Sequence, residues 1–218
     1  NAMCYTRGVP GDYDGWARAG ARGWNWDAVL PYFLRAEGNA RGAGPLHGDE
    51  GPLCVSDLRH RNPLSEIFVE AGMQAGWGRN EDFNGPDQAG MGFYQVTQRD
   101  GARCSAADAY LAPARARPNL RIATGALVRR VVVEHGRATG VDYHAGRGLL
   151  RASAAREVLL CGGAVNSPQL LMLSGIGPAA ELRTHGIEVQ ADLPGVGANL
   201  QDHLDICTLH HCPPRLSY

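Results

Sequence analysis

The sequence contains no lysine, and all 21 of its basic residues are arginine. We attribute this to the composition of a GC-rich, bacterial genome rather than to function. The arginines are balanced by 22 acidic residues, which leaves a formal net charge of −1 and no excess charge to attract a polyanion. The aromatic residues are too few and too scattered to form a stacking platform. Both observations argue against a nucleic-acid partner.

The chain also lacks an apolar run of the roughly 20 residues that a membrane-spanning helix requires. No charged-then-apolar signal segment stands at its start. Its six cysteines are widely spaced and include no C-x-x-C pair, a pattern typical of reduced, mostly buried thiols. We therefore expect a cytoplasmic protein, at most peripheral to a membrane.

Glycine, by contrast, is abundant: its 29 residues are about twice the usual share. This composition predicts many tight turns, or backbone that lies close to a ligand. Helical spacing and capping residues predict helices over residues 24–37, 62–76 and 104–118. Residues 120–153 follow as alternating, β-branched runs separated by short turns, which predicts a β-meander.

The stretch CGGAVNSPQLLMLSGIG, residues 161–177, follows an apolar run at residues 156–160 that predicts a buried strand. A strand, a small-residue turn and a helix form the βα unit of a doubly wound sheet. Gly162 and Gly163 would let the backbone approach a ligand, whose phosphate the first helical N–H groups could receive. Alternatively, the two glycines only allow close packing of helix on sheet, and the local features alone favour that plainer interpretation. We place Pro168 in the first turn of the helix.

Several of these motifs resemble one family of enzymes. AVNSPQLLMLSGIGP resembles the second signature of the glucose-methanol-choline (GMC) flavin oxidoreductases, and NAMCYTRGVPGDYD resembles the second half of their first signature. The segments TGALVRRV and DLPGVGANLQDH are similar to its choline and alcohol dehydrogenase branch. The resemblance covers essentially the whole chain and implies an α/β fold (α+β overall). That fold would be a partial FAD-binding, doubly wound domain with a β-meander, a helical flavin-covering excursion and the start of a substrate domain.

The resemblance also implies how the chain is divided. Residues 1–103 would form the flavin-covering excursion, residues 104–190 part of the FAD-binding domain, and residues 191–218 a linker and the start of the substrate-binding domain. The family's dinucleotide loop and its catalytic His region would lie outside this segment. We therefore expect no catalytic residue within it, and no activity from the segment alone.

The activity implied for the parent protein is oxidation of a CH–OH group of an alcohol, choline or another primary alcohol, to the aldehyde by hydride transfer to FAD. The electron acceptor, oxygen or a quinone-type compound, stays open. One alternative is a hydroxynitrile lyase built on the same scaffold. Another, from a different class, is a non-catalytic fragment that folds or self-associates without FAD, through faces left by the missing segments.

The resemblance assigns cofactor contacts to three places in the chain. Residues 1–4 would run beside the flavin ring, the backbone N–H and C=O of the valine at 128 would pair with adenine, and the glycine turn would lie against the adenosine. Asn1 and Ala2 are alternatively the remnant of a cleaved purification tag and then carry no function. The expected cofactor-binding residues are Asn1, Ala2, Met3, Cys4, Val128, Gly162 and Gly163.

A polar cluster near the end of the chain is a weaker candidate. The spacing of its histidines and cysteines fits no structural zinc pattern, so we expect no metal. Asp202 and His203 are instead expected to help link two domains. The residues concerned are Asn199, Asp202, His203, Cys207, His210, His211 and Cys212.

Two further side chains suggest chemistry at first sight. Cys104 has no evident His base nearby, and the neighbouring Ser105 is suited to cap a helix, so we expect a buried thiol rather than a nucleophile. His47 lies in a Gly/Pro-rich loop. We expect it to be a hydrogen-bonding loop residue rather than a catalyst.

Overall fold

The computed structural model describes residues 3–207 and 211 of the 218-residue chain. The described residues divide into two compact units, residues 3–120 with 211 and residues 121–207. Among the described residues, no helix is long and apolar enough to cross a membrane. The expected division into a flavin-covering excursion, part of an FAD-binding domain and the start of a substrate-binding domain concerns a larger protein and stays a prediction.

The elements of the first unit are short and alternate between helix and strand. In chain order they are α1 (Pro10–Arg18), α2 (Trp26–Ala36), β1 (Glu37–Asn39), β2 (Leu53–Val55), α3 (Pro63–Gln74), β3 (Gln98–Arg99), β4 (Ala102–Arg103), a π-helical turn (Ala107–Leu111) and α4 (Ala112–Ala114). The helices expected at 24–37 and 62–76 are therefore confirmed. The third is present as the π-helical turn and α4.

Helices α1 and α2 pack through aromatic rings. Tyr13 is buried, and its ring centroid lies 5.1 Å from that of Trp16, 5.5 Å from Trp26 and 5.7 Å from Phe33. Edge and tilted contacts of this kind add to the burial of the rings themselves. This cluster fixes the chain that leads out of α2 directly into β1.

The middle of the first unit is an extended layer. Strands β1 and β2 pair in parallel, with Gly38 opposite Cys54. Residues 95–97 continue the layer, because the N–H groups of Val96 and Ser56 each donate to the other residue's carbonyl oxygen at 2.9 and 3.0 Å. On the other side of residues 95–97 the Tyr5 N–H donates to the carbonyl oxygen of Gln95 at 2.8 Å. The start of the chain is thereby held on this layer.

Helix α3 begins as its sequence predicts. The Oδ1 atom of Asn62 accepts a hydrogen bond from the Leu64 N–H at 2.8 Å, and Pro63 occupies the first helical position. A capping side chain and a proline that needs no N–H partner both favour a helix start. The prediction of this N-terminus is confirmed.

The second unit opens with the expected β-meander. Strands β5 (Ala126–Glu134), β6 (Arg137–Ala145) and β7 (Gly148–Ser153) form an antiparallel sheet in that order. Asp142 of β6 is flanked by its two neighbours across the sheet, at 2.7 Å from Arg151 and 2.9 Å from Arg130. The hydrogen bonds from Arg151 and then Arg130 lower the pKa of the Asp142 carboxyl to about 2. The ion pairs therefore bind all three strands together.

After the meander the second unit continues with short elements, the first of which packs against β5. They are α5 (Gly163–Leu173), β8 (Ile176–Gly177), α6 (Ala179–Thr184) and β9 (Ala191–Asp192), with β8 and β9 paired in parallel. After α5, the Ser174 hydroxyl accepts a hydrogen bond from the Val131 N–H at 2.8 Å and lies 2.6 Å from the Leu170 carbonyl oxygen. Gly175 has φ +82 and ends the helix in the left-handed region that glycine favours.

Two expectations for this region are wrong. Residues 156–160 form no strand, because no neighbouring strand lies beside them in the described chain, and Leu159 is 74% exposed. The described residues accordingly contain no doubly wound sheet, only small sheets of two or three strands. Pro168 lies inside α5 rather than in its first turn, since the helix already begins at Gly163.

The expectation of mostly buried cysteines is also wrong. Of those described, only Cys104 is buried, and Cys54 is partly exposed. The thiols of Cys4, Cys161 and Cys207 are exposed, because Cys161 and Cys207 lie outside the strands and helices and Cys4 makes only an isolated bridge. Cys212 lies outside the described residues.

Candidate cofactor-binding site

The residues predicted to bind the cofactor lie in both units. Met3 and Cys4 belong to the first unit, and Val128, Gly162 and Gly163 to the second. The predictions for Asn1 and Ala2 fall outside the described residues.

Met3 is held in a backbone conformation that few side chains adopt. Its φ is +63, in the left-handed region that costs a non-glycine residue about 1–2 kcal/mol. The carbonyl oxygen of Met3 accepts a hydrogen bond from the Thr97 N–H at 2.9 Å, and Cys4 forms a bridge to Val96. Strained residues of this kind persist where the surroundings hold them and are often found at functional sites.

A buried polar network lies directly behind this segment. Glu37 is fully buried, and Asn39 and Gln95 are nearly so. The Asn39 amide donates to Glu37 Oε1 at 2.8 Å and to Gln95 Oε1 at 2.9 Å, while Gln95 Nε2 donates back to Asn39 Oδ1 at 3.0 Å. Because every member has partners, the network is compatible with burial.

His47 connects this network to a second carboxylate. One ring nitrogen lies 2.9 Å from Glu37 Oε1 and the other 2.9 Å from Asp82 Oδ2. The expectation that His47 is a hydrogen-bonding loop residue is thereby confirmed. Nearby, burial raises the pKa of the Tyr5 phenol to about 12, and the Glu37 carboxylate adds to that effect.

Arg7 anchors the other end of the same segment. It is buried, its N–H donates to Asn84 Oδ1 at 2.7 Å, and its Nη2 donates to the Leu46 carbonyl oxygen at 2.6 Å. Its Nε and Nη1 are buried without a hydrogen-bond partner among the described residues, and the guanidinium lies 5.5 Å from the Phe33 ring centroid. Residues 3–7 are thus fixed along their whole length.

Val128 lies at an irregularity of the meander. It pairs with Tyr143, whereas the next pair is Arg130 with Asp142, so Arg129 is an extra residue in β5. Such a bulge bends a strand and changes where its backbone groups point. β5 is also the outermost strand of its sheet, so one side of its backbone faces no other strand of that sheet.

Gly162 and Gly163 form the start of α5. Gly163 has φ +84, and a Cβ placed there would meet no atom within 4 Å. The Gly162 N–H donates to Ser167 Oγ at 3.0 Å, and the remaining N–H groups of the first turn have no partners within the helix. The result is an open helix N-terminus without side chains on its first residue.

The remaining sequence candidates are distributed as follows. Cys104 is buried, as expected. In the described chain no three His, Cys, Asp or Glu side chains come together as a metal site. Residues 201–207 are exposed, and Asn199 has φ +56. His210 and Cys212 lie outside the described residues, and the linking role of Asp202 and His203 stays a prediction.

The polar network was missed by sequence reasoning. Its hydrogen-bonded members Asn39 and Gln95 are 56 residues apart along the chain, so no local motif connects them. The one available signal is the alternation of Glu37 and Asn39 around Gly38, immediately after an amphipathic helix. Polar residues at both inward positions of a short strand are unusual and suggest a buried hydrogen-bonding partner.

Comparison with known proteins bears on all of these residues at once. The sequence model described as GMC oxidoreductase matches residues 1–205. The chain belongs to the GMC oxidoreductase family. Among curated relatives of this family member, the oxygen-dependent choline dehydrogenase of Brucella anthropi is 50% identical over 212 residues, covering 97% of this chain and 38% of that protein. The mitochondrial choline dehydrogenase of Homo sapiens is likewise 50% identical over 212 residues, covering 97% and 36%.

Two solved structures share the fold of this chain over most of its length. Pyridoxine 4-oxidase from Mesorbium loti superposes with a TM-score of 0.82 at 38% identity, covering 89% of this chain and 38% of that one. An FAD-dependent oxidoreductase from Chaetomium thermophilum gives a TM-score of 0.81 at 31% identity, covering 89% and 36%. The GMC chain thus spans a little over a third of the length of the proteins it matches.

Proposed function

We propose that this chain is the cofactor-covering and adenine-side part of an FAD-dependent enzyme that oxidises the CH–OH group of an alcohol, choline being the first substrate to test. The observation that carries the proposal is the 50% identity over 212 residues with proteins named choline dehydrogenase from both a bacterium and human. Oxygen is the first electron acceptor to test, because the bacterial relative is named oxygen-dependent. We place the protein in the cytoplasm.

The start of α5 fits the adenosine side of FAD. Its first N–H groups lack partners within the helix, and the positive end of the helix dipole favours a nearby phosphate. The space where a Gly163 side chain would begin is open, so a ligand can approach the backbone. In this proposal the Gly163 N–H donates a backbone hydrogen bond to the cofactor, and neither Gly162 nor Gly163 presents a side chain that would exclude it.

The outer edge of β5 fits an adenine ring. A purine edge offers a donor and an acceptor side by side, and a strand edge offers an N–H and a C=O in the same arrangement. The Val131 N–H on this strand is already used by Ser174. The N–H and C=O of Val128, next to the bulge, are the groups we assign to adenine.

The segment at Met3 and Cys4 would position the flavin ring. When bound, FAD supplies the ring that accepts the hydride from the alcohol carbon. The chain's own contribution is a rigid backbone edge, held by Thr97 and by the polar network. No residue of this chain is assigned a proton transfer, in line with the expectation that the catalytic residue lies elsewhere in the parent enzyme.

The test uses the protein encoded by the complete reading frame that contains this chain. Purified protein should carry flavin, and choline added without oxygen should bleach the flavin absorbance near 450 nm. Gly163→Val should abolish flavin retention, because the new side chain fills the open space and the left-handed φ disfavours a β-branched residue. Gly146→Val is the matched control, since Gly146 also has a positive φ (+60) and open space but lies in a hairpin turn.

The outcomes separate the parts of the proposal. Equal loss of flavin from both variants would show strain rather than a site at Gly163. Bleaching by other primary alcohols but not by choline would contradict the substrate. Protein that folds without any flavin would contradict the cofactor and favour a non-catalytic role.

The 218-residue chain studied by itself should self-associate. Apolar side chains in the second unit are strongly exposed, among them Leu159 (74%), Val165 (67%) and Ile206 (83%). Exposed apolar surface of this kind favours association. A monodisperse monomer that binds FAD in analytical ultracentrifugation would contradict this expectation.

A further inference from the structure

Two cysteines of the first unit lie beside each other and beside an arginine. The main-chain N–H of Cys54 donates to the sulfur of Cys104 at 3.4 Å. Arg99 places Nε at 3.0 Å and Nη2 at 2.9 Å from the sulfur of Cys54. No other cysteine among the described residues has a guanidinium in hydrogen-bond contact with its sulfur.

We propose that Cys54 and Cys104 form a reversible redox pair, in which Cys54 attacks a small-molecule disulfide such as oxidised glutathione and Cys104 then closes an intrachain disulfide. Cys54 is the attacking residue because it is partly exposed, whereas Cys104 is buried. A thiolate is the nucleophile in such reactions, and a neighbouring guanidinium stabilises it.

The arginine is engaged with the sulfur rather than with its acidic neighbours. The pKa of the Arg99 guanidinium is raised mainly by the hydrogen bond from Arg99 to Cys54, and Asp100 contributes less. The Nε and Nη2 atoms of Arg99 both lie within hydrogen-bond distance of the one sulfur atom, and hydrogen bonds to a charged acceptor are stronger than those to a neutral one. The geometry is therefore suited to a Cys54 thiolate.

The second sulfur lies beside the backbone of the first cysteine. The sulfur of Cys104 is 3.4 Å from the backbone nitrogen of Cys54, and the proposed exchange requires the Cys54 side chain to turn about χ1 from Arg99 toward Cys104. Cys104 immediately follows the short β3–β4 hairpin, and its N–H donates to the Thr97 carbonyl oxygen at 3.0 Å. A disulfide would therefore tie β2 to the hairpin that follows residues 95–97.

The two steps balance in atoms and electrons. The Cys54 thiolate attacks one sulfur of oxidised glutathione, forming a mixed disulfide and releasing one glutathione thiolate. The Cys104 sulfur then attacks the Cys54 sulfur, forming the Cys54–Cys104 bond and releasing the second glutathione, while the Cys104 proton passes to a released thiolate. Two protein thiols are oxidised, and one glutathione disulfide is reduced to two thiols.

The sequence makes the product simple to detect. Because the chain has no lysine, trypsin cleaves only after arginine and puts the two cysteines on separate peptides, residues 42–59 and 104–115. The reduced 218-residue chain is incubated with oxidised glutathione at pH 7, quenched with acid, alkylated and digested. The expected product is a linked pair of these peptides that disappears on reduction and forms before the exposed Cys161 is modified.

Matched variants test each role. Arg99→Gln should slow the modification of Cys54 about tenfold, whereas Arg103→Gln, an exposed arginine with no side-chain partner among the described residues, should not. Cys104→Ala should stop the reaction at the glutathione adduct of Cys54. Tryptophan fluorescence and circular dichroism confirm that each variant is folded.

Three outcomes would overturn the proposal. The first is a stable glutathione adduct on Cys54 of the unmodified sequence without any linked peptide. The second is modification of Cys161 as fast as that of Cys54. The third is an unchanged Cys54 rate in the folded Arg99→Gln variant.

Discussion

Replacing Asn39 by alanine tests whether the buried polar network stabilises the first unit. The Asn39 side chain makes four hydrogen bonds of 2.8 to 3.0 Å: it donates to Glu37 and Gln95, and it accepts from Gln95 and from the Arg41 N–H. The Arg41 N–H is only partly buried and can form a hydrogen bond to water instead. Gln95 is 6% exposed and Glu37 is fully buried, so their lost contacts cannot be replaced by solvent.

The expected cost follows from those two partners. A buried polar group left without its hydrogen bond costs about 1–3 kcal/mol, so Asn39→Ala should lower the free energy of unfolding of the first unit by about 3 kcal/mol. With a urea dependence of about 1.5–2 kcal/mol per molar for a unit of this size, the midpoint should fall by about 1.5–2 M. That is a large part of the stability of a typical domain.

Urea titration followed by tryptophan fluorescence reports this unit alone, because all four tryptophans lie within residues 1–120. Asn25→Ala is the matched control, since Asn25 precedes α2 but makes no capping hydrogen bond through its side chain. Removing Asn39 and Gln95 together should cost less than the sum of the two single changes, because their amides bond to each other. A midpoint for Asn39→Ala within 0.3 M, roughly the error of such titrations, of the control would refute the reasoning.

Three further predictions concern single groups. The Asp142 carboxyl has a pKa of about 2 in the folded protein, below its value in the unfolded chain. Its contribution to stability is therefore complete above about pH 4 and is lost as the pH falls toward 2. Asp142→Asn should remove this part of the acid dependence of the thermal midpoint. Tyr5, with a pKa of about 12, should give an ionisation phase near that pH in an alkaline absorbance titration, and Tyr5→Phe should remove this phase. Ser174→Ala leaves the buried Val131 N–H without its partner, so hydrogen exchange at Val131 should speed up about tenfold or more, equivalent to about 1–2 kcal/mol.

Local patterns in the sequence predicted the elements whose causes are local. The cap and proline at residues 62 and 63 and the alternation of residues 126–153 each depend on neighbours in the chain. The strand expected at 156–160 shows the limit of this reasoning: an apolar run fits a strand, but a strand exists only where another strand completes its hydrogen bonds. The cofactor residues were predicted by resemblance, because a strand valine and a glycine turn have no chemistry of their own.

The network explains how a strained residue can be kept at the predicted flavin edge. Met3 in a left-handed conformation requires surroundings that permit no relaxation, and apolar packing alone is not directional. Gln95 makes directional hydrogen bonds through both its backbone and its side chain: its carbonyl oxygen accepts from the Tyr5 N–H, and its side-chain amide is fixed by Asn39. Because the neighbouring Thr97 N–H binds the Met3 carbonyl oxygen, the orientation of Gln95 is transmitted to Met3 through two residues of backbone. A buried glutamine here therefore positions the start of the chain as well as stabilising the layer behind it.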